Sequence, residues 1–426
     1  MLALPLSAWL SRRHIHFSWV IAAITFLAML TSSAALGLPG VLLKPLSEEF
    51  GWSTDQISSA LAVRFVLYGL LGPFAAIFIN RYGLRTVMSL ALTLIGVGLA
   101  LATVMTQFWQ LVMLWGVLLG IASGLTALVL GTIITHRWFE THRGLVIGSL
   151  TASIATGQLA FLPFAAWLVE NHGWRSSILP IFGLTLAVAA LAFALMRNQP
   201  ADVGLAPYGA RGDARPPQAS PPHLSLLDPF RVLLEARSNR TFLILAATFF
   251  ICGLSTNGLI QTHFITLCGD FGLSPVPAAS VLAMMGVFDF FGTILSGWLS
   301  DRFDNRKLLC WYYGLRGLSL FWLPHSEFTF YGLTFFAMFY GLDWIATVPP
   351  TVRLASEAFG REKAGMLFGW IFAAHQLGAA TAAYGAGLTR TLLLTYTPAL
   401  YAAGAACLVA AGIILAVRRP AKPAAA

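Results

Sequence analysis

Charge is what this sequence has least of. Asp, Glu, Lys and Arg make up 10% of its 426 residues, against 58% hydrophobic ones. Soluble domains carry about 25% charged residues, so the composition excludes a chain that folds in water behind an ordinary polar surface. Cysteine is also scarce. Cys252, Cys268, Cys310 and Cys407 stand singly, without C-x-x-C spacing, which indicates neither a disulfide framework nor a metal site. No Walker-type phosphate loop occurs, and this argues against an ATP-driven pump. No Ser/His/Asp set and no paired carboxylates are readable, so neither an enzyme nor a cofactor is expected.

Long apolar runs fill the space instead. Twelve lie at approximately 17–43, 56–79, 85–105, 109–134, 144–169, 176–196, 241–266, 276–299, 308–324, 328–352, 364–389 and 394–417. Crossing a hydrocarbon core of roughly 30 Å takes ~20 helical residues, and a lipid-exposed backbone must satisfy its own hydrogen bonds. An all-α membrane protein of twelve transmembrane helices is therefore expected. The first run is too long for a signal peptide and eleven more follow it, so it is expected to remain as a helix. Gly116, Gly120 and Gly124 in the fourth run have the spacing of closely packed membrane helices.

The formal net charge of +9 could suggest nucleic acid, but the positions of the charges argue against it. With the N-terminus inside, 21 of the 26 Lys and Arg fall in inside segments, and only Lys44, Arg175 and Arg390 fall outside. That is the positive-inside asymmetry of cytoplasmic loops. Both termini are expected in the cytoplasm, in a plasma membrane of the bacterial inner-membrane kind.

The chain repeats itself. GWLSDRFDNRK at 297–307 echoes AIFINRYGLRT at 76–86: Arg81 matches Arg302 and Arg85 matches Arg306, while Asn80 stands where Asp301 stands later. The same offset of 221 relates EFGWS at 49–53 to DFGLS at 270–274, Gly37 to Gly258, Gly120 to Gly341, Gly144 to Gly365, Gly148 to Gly369 and Gly157 to Gly378. Two six-helix halves of the same orientation follow, 1–196 and 241–426, joined by an inside linker at 197–240. Its ARPPQASPPH stretch at 214–223 is expected to be a semi-rigid tether. Parallel halves around a midplane site are the plan of a rocking secondary transporter.

The residues resemble the major facilitator superfamily. Gly297, Asp301, Arg302, Arg306 and Lys307 are similar to its loop signature, from which the first copy departs at Ala76 and Asn80. KPLSEEFGWS, RWFETHRGLVIG and QPADVGLAPYG resemble its monocarboxylate and oxalate–formate transporter branch. The resemblance implies that the repeated loops latch the cytoplasmic side. Asp301 would meet the start of the fifth helix near Arg143, where the helix dipole favours an acid. Asn80 would face the eleventh helix near Lys363. Asn80, Arg81, Arg85, Arg143, Asp301, Arg302 and Arg306 form this gating set, with the Asp301 copy dominant. The plainer reading is that they anchor loops at headgroups.

Few ionisable residues lie deep in the runs: Arg64, Asp289, Arg316 and Asp343, with His375 mid-run and Asn257 and His263 in the outer half of the seventh. Such groups are functional candidates by default. The resemblance implies that the first, fourth, seventh and tenth helices line a cavity, which puts Asn257 and Asp343 on it. It also abuts the second helix on the eleventh, bringing Arg64 toward His375. Arg64 offers a fork suited to a carboxylate; the alternatives are a protein acid or snorkelling. Asp343, followed by Pro349-Pro350, is the candidate proton site with His375, unless it is tied in an ion pair with Arg316. Asp289-Phe290-Phe291-Gly292-Thr293 is similar to the branch's eighth-helix motif, with Thr293 replacing its substrate-binding Arg. The branch's eleventh-helix lysine and first-helix acidic-Gly pair are missing as well.

The expected function is alternating-access transport of a small organic anion with a proton, by a monomer. The substrate would sit near Arg64, Asn257, Asp343 and His375, with Asp343, His375 and Asp289 handling the proton. Efflux of drugs or cationic metabolites through Asp289 and Asp343 is the rival within transport. A transporter-like receptor that binds without moving its ligand is the rival from another class.

Overall fold

The computed structural model describes residues 3–210 and 225–417; the tether at 214–223 lies outside them. In chain order, α1 is Ser18–Phe50, α2 Thr54–Tyr82, α3 Leu84–Ala102, α4 Phe108–Trp138, α5 Arg143–His172, α6 Trp174–Leu195, α7 Arg240–Asp270 and α8 Pro275–Ser300. Next, α9 is Asn305–Trp322 and α10 starts as Thr334–Leu342. A continuous run, Val348–Leu393, turns at Gly360, where φ is +76°; 348–359 completes α10 and 361–393 is α11. The last, α12, is Thr397–Ala416. Among the described residues, nine of these helices are long and apolar enough to cross a membrane. The other three fall short for local reasons: α9 carries Arg306, Lys307 and Arg316, α10 is broken, and α11 carries His375 and Gln376 among Gly and Ala residues of low hydropathy.

The repeated [ED]FGxS segment is the turn from α1 to α2 and again from α7 to α8. Its acid anchors the turn: Glu49 accepts from Arg175 at 2.8 and 2.6 Å, and Asp270 accepts from Arg390 at 2.8 Å twice. Its glycine reverses the chain, with φ +68° at Gly51 and +84° at Gly272, a region costly for residues with a Cβ. Its serine opens the next helix, Ser53 in a capping box with Gln56.

Packing repeats with the sequence. Gly37 lies against the Gln158 carbonyl and Gly258 against that of Ala379. A Cβ on Gly120 would fall 2.9 Å from Arg64 O and 3.1 Å from Leu67 Cβ; on Gly341 it would fall 2.5 Å from Met285 O and 3.0 Å from Phe288 Cβ. Every partner is displaced by 221. Ridge and groove are thus the same in both halves, α4 on α2 and α10 on α8. Gly341→Ala is expected to cost about 1–3 kcal/mol by overpacking, read as a lower melting temperature in detergent. Gly385→Ala, with nothing within 4 Å, is expected to be silent.

One end of the bundle is open and the other shut. At the end carrying the Arg-rich loops, a cavity of about 1090 Å³ separates α4 and α5 from α8, α10 and α11. At the opposite end the halves touch. Thr391 donates to Asp55 Oδ1 at 2.9 Å, and Gly40 presses on the Gln261 carbonyl.

Candidate functional site

The centre of the second half is built around the break in α10. The chain leaves the helix at Asp343–Thr347, before Pro349 and Pro350 rather than because of them. Both prolines stand in the first turn of the restarting helix, where a missing N–H costs nothing. The freed backbone groups are met from α8 and α9. Asp289 Oδ1 accepts the Ile345 N–H at 2.7 Å, and Ser296 Oγ donates to the Ala346 carbonyl at 2.5 Å. Arg316 Nη2 donates to the Asp343 and Trp344 carbonyls at 2.5 and 3.3 Å. Gly292 lets α8 reach the Leu342 carbonyl without a side chain between.

Asp343 is therefore not a free cavity carboxylate. Arg316 Nε donates to its Oδ2 at 2.6 Å, both residues being buried, while Arg316 Nη1 points at Cys252 Sγ, 2.9 Å away. This ion pair is what sequence reading held as the alternative to proton exchange. Asp289 differs. It is 1% exposed, has no ion pair among the described residues, accepts from Thr293 Oγ1 at 3.1 Å, and lines the deep part of the cavity. Of the two buried carboxylates, Asp343 has the Arg316 guanidinium and Asp289 has none.

In the first half the imbalance is reversed. Arg64 on α2 is 2% exposed, so it does not snorkel, and its Nε and Nη1 find no hydrogen-bond partner. No described carboxylate pairs with it; its guanidinium lies over the ring of its neighbour Phe65, at 4.9 Å. Tyr68, one turn along the same face, meets Phe372 of α11 edge-on at 5.5 Å, and the next turn, at Gly72, lines the cavity. Arg64 thus sits beyond the cavity's deep end, behind an aromatic contact that joins the two halves.

His375 and Arg64 are not bonded to each other. His375 is buried between Phe249 (5.0 Å) and Phe372 (5.9 Å) and faces Gln376 Nε2 at 3.3 Å. One residue on, a rotation of 100°, Gln376 is what meets α2: a Cβ on Gly69 would lie 2.6 Å from its Cβ. Asn257 stands in a π-helical stretch of α7, Leu254–Gln261, a form frequent at functional sites; it accepts from Thr256 Oγ1 at 3.2 Å and does not line the open cavity. Sequence reasoning missed Tyr68, Gln261 and Gln376. Both amide oxygens are buried without a partner, and a census of charged residues passes over uncharged ones.

The gating residues do not cross between the halves here. Asp301 bonds Arg353 of α10 rather than the α5 start at Arg143, whose Nε donates to its own loop at Phe139 O, 2.6 Å away. Asn80 accepts from Arg137 at 2.5 Å, and Lys363 goes to Glu235 at 2.6 Å. Arg81, Arg85 and Arg302 lie over Tyr82, Phe193 and Trp298. Arg306 pairs with Asp304 at 2.6 Å and donates to Val417 O at 3.0 Å. The physical reason is the open cavity, which parts α5 from α8 at the Arg-rich end.

A family model described as Major Facilitator Superfamily matches residues 21–383 and, again, 264–426. The chain belongs to the Major Facilitator Superfamily. Among curated proteins, this superfamily member is similar to the uncharacterized MFS-type transporter YcxA of Bacillus subtilis (strain 168), 26% identical over 87% of this chain and 88% of that one. It is 24% identical to monocarboxylate transporter 13 of Rattus norvegicus, over 94% and 88%. A gallate transporter of Pseudomonas putida is 26% identical over 73% and 72%. Among solved structures, a bacterial homolog of the human lysosomal transporter Spinster, in an inward-facing and occupied conformation, superposes with a TM-score of 0.69 at 13% identity, covering 94% of this chain and 97% of that one. The twelve-helix, two-half architecture is thus that of the superfamily, and the sequence lies near its monocarboxylate transporters.

Proposed function

We propose that the chain carries a small organic anion, a carboxylate, across the membrane together with a proton, its halves rocking to open one end at a time. The observation that carries this is the buried, unpaired guanidinium of Arg64. Arg stays charged, and an ion out of water without a partner costs several kcal/mol, so the site favours a ligand that brings a negative charge. Arg64 replaces, in this reading, the Arg that Thr293 displaced from α8. Asp289 carries the proton in place of Asp343, because it lines the open cavity and has no cation of its own. The Arg-rich end, where the cavity opens, is then the cytoplasmic one, both termini lie on that side, and a monomer is the working unit. Similarity to monocarboxylate and gallate transporters supports an organic anion as cargo.

A second reading rests on the same carboxylate: a cationic substrate could sit directly on Asp289. Liposomes with a trapped pH dye separate the two. Carboxylates added one by one are expected to drive proton movement. Asp289→Asn is expected to abolish it while leaving exchange of labelled anion for unlabelled within about threefold. Silence with every carboxylate and a signal with organic cations would remove the anion reading.

A further inference from the structure

The first basic loop lacks its acid, yet it still holds a guanidinium. Asn80 accepts from Arg137, at the end of α4, much as Asp301 takes Arg353 of α10. The two halves differ in what neutralises that cation. Arg353 has two carboxylates of its own half, Asp301 and Glu357, the latter at 3.2 Å. Around Arg137 no described carboxylate comes within ion-pair distance.

What meets Arg137 instead is the segment after α6, Asn198 and the QPADVGLAPYG stretch that follows it, which the transport reading leaves without a task. Arg137 Nη1 donates to the Asn198 carbonyl at 3.3 Å. Asn198 Oδ1 accepts from the N–H of Leu84, the first residue of α3, at 2.7 Å, so the segment grips the basic loop beside the guanidinium. Pro200–Val203 forms a single 3₁₀ turn, whose Asp202 accepts from the N–H groups of Asn198 at 2.9 Å and Gln199 at 3.2 Å. Asp202 is thereby anchored on the N–H of the residue whose carbonyl takes Arg137, which brings its charge to the neighbourhood of the guanidinium without an ion pair.

We propose that Asp202 supplies, from behind α6, the negative charge that the first loop lacks at position 80. It is a positioning residue: it holds Arg137, and through it Asn80, within the first half while the Arg-rich end is open. Those bonds compete with any contact of Asn80 across to the other half. Removing the charge should therefore shift the protein toward closure at this end. The proposal rests on the alternating-access reading.

The test uses the full chain in membrane vesicles and an impermeant maleimide. Ser149→Cys reports the open cavity, which Ser149 lines, and Ser58→Cys reports the shut end, where Ser58 is buried against Gly387. D202N removes the charge but keeps an oxygen to accept the two backbone N–H bonds. It is expected to slow labelling at the first reporter about threefold and speed it at the second by a similar factor, the scale of a part-exposed charge pair. R137Q should do the same, and R137Q/D202N no more than either alone. Equal rates in D202N and the parent, or effects that multiply in the double variant, would overturn the proposal and leave alternating access standing. Reporters that move independently of each other would overturn both.

Discussion

Arg64→Gln is expected to lower carboxylate-driven proton flux by about 10²–10⁴-fold while leaving the melting temperature unchanged or raised. A carboxylate held by the fork gains two charge-assisted hydrogen bonds, each worth about 1.5–3 kcal/mol, and each 1.4 kcal/mol is tenfold in affinity. The empty protein has the opposite balance. Nε and Nη1 of Arg64 are buried without partners, so a neutral side chain of similar length relieves a desolvated charge. Loss of function without loss of stability is the signature of a ligand site. Arg64→Lys keeps the charge but not the fork, and should fall between the two. Flux and melting temperature falling together would make Arg64 a structural residue, and unchanged flux would remove it from the site.

Arg316→Gln is expected to destabilise the fold by about 3–5 kcal/mol, the range for removing one partner of a buried ion pair. It would strand the Asp343 carboxylate, whose Oδ1 already lacks a partner. It would also withdraw the donors from the Asp343 and Trp344 carbonyls, so the broken stretch of α10 loses what holds it open. Arg316→Met/Asp343→Leu should recover much of the loss, because two charges leave together, but not all of it, because the carbonyls stay without donors. Unfolding in a detergent series reads both variants. A single variant as stable as the parent would mean that the pair is ornamental. A double variant worse than the single would mean that the break depends on the Asp343 carboxylate itself.

Thr293 shows why the motif on α8 survives without its Arg. Asp289 and Gly292 have work in the fold: one caps the Ile345 N–H and the other admits the Leu342 carbonyl. Both jobs serve the break in α10 whatever the substrate is. The residue at 293 lines the cavity and touches the break only through its hydrogen bond to Asp289, so no long cation is needed there to hold α10 open.

The sequence by itself determined the membrane, the helices and the doubling. These follow from runs of apolar residues, from where Lys and Arg fall, and from a register of 221, all of which are local or periodic and survive without knowledge of contacts. The packing of Gly120 on Arg64 and of Gly341 on Met285 is that register in three dimensions. Pairing was decided only by the tertiary structure. Arg64, Arg316, Asp289 and Asp343 read alike along the chain, as charges inside apolar runs. Which acid takes which cation depends on helix rotation: one residue, or 100°, separates His375 at its aromatic neighbours from Gln376 against α2. The neighbours of Asn80 and Asp301 were equally illegible, because with the Arg-rich end open each bonds an arginine of its own half, Arg137 and Arg353, that no local pattern singles out. In hydrocarbon an unpaired charge is costly, and the fold pairs Arg316 with Asp343, gives Asp289 neutral hydrogen bonds only, and leaves Arg64 Nε and Nη1 without a partner.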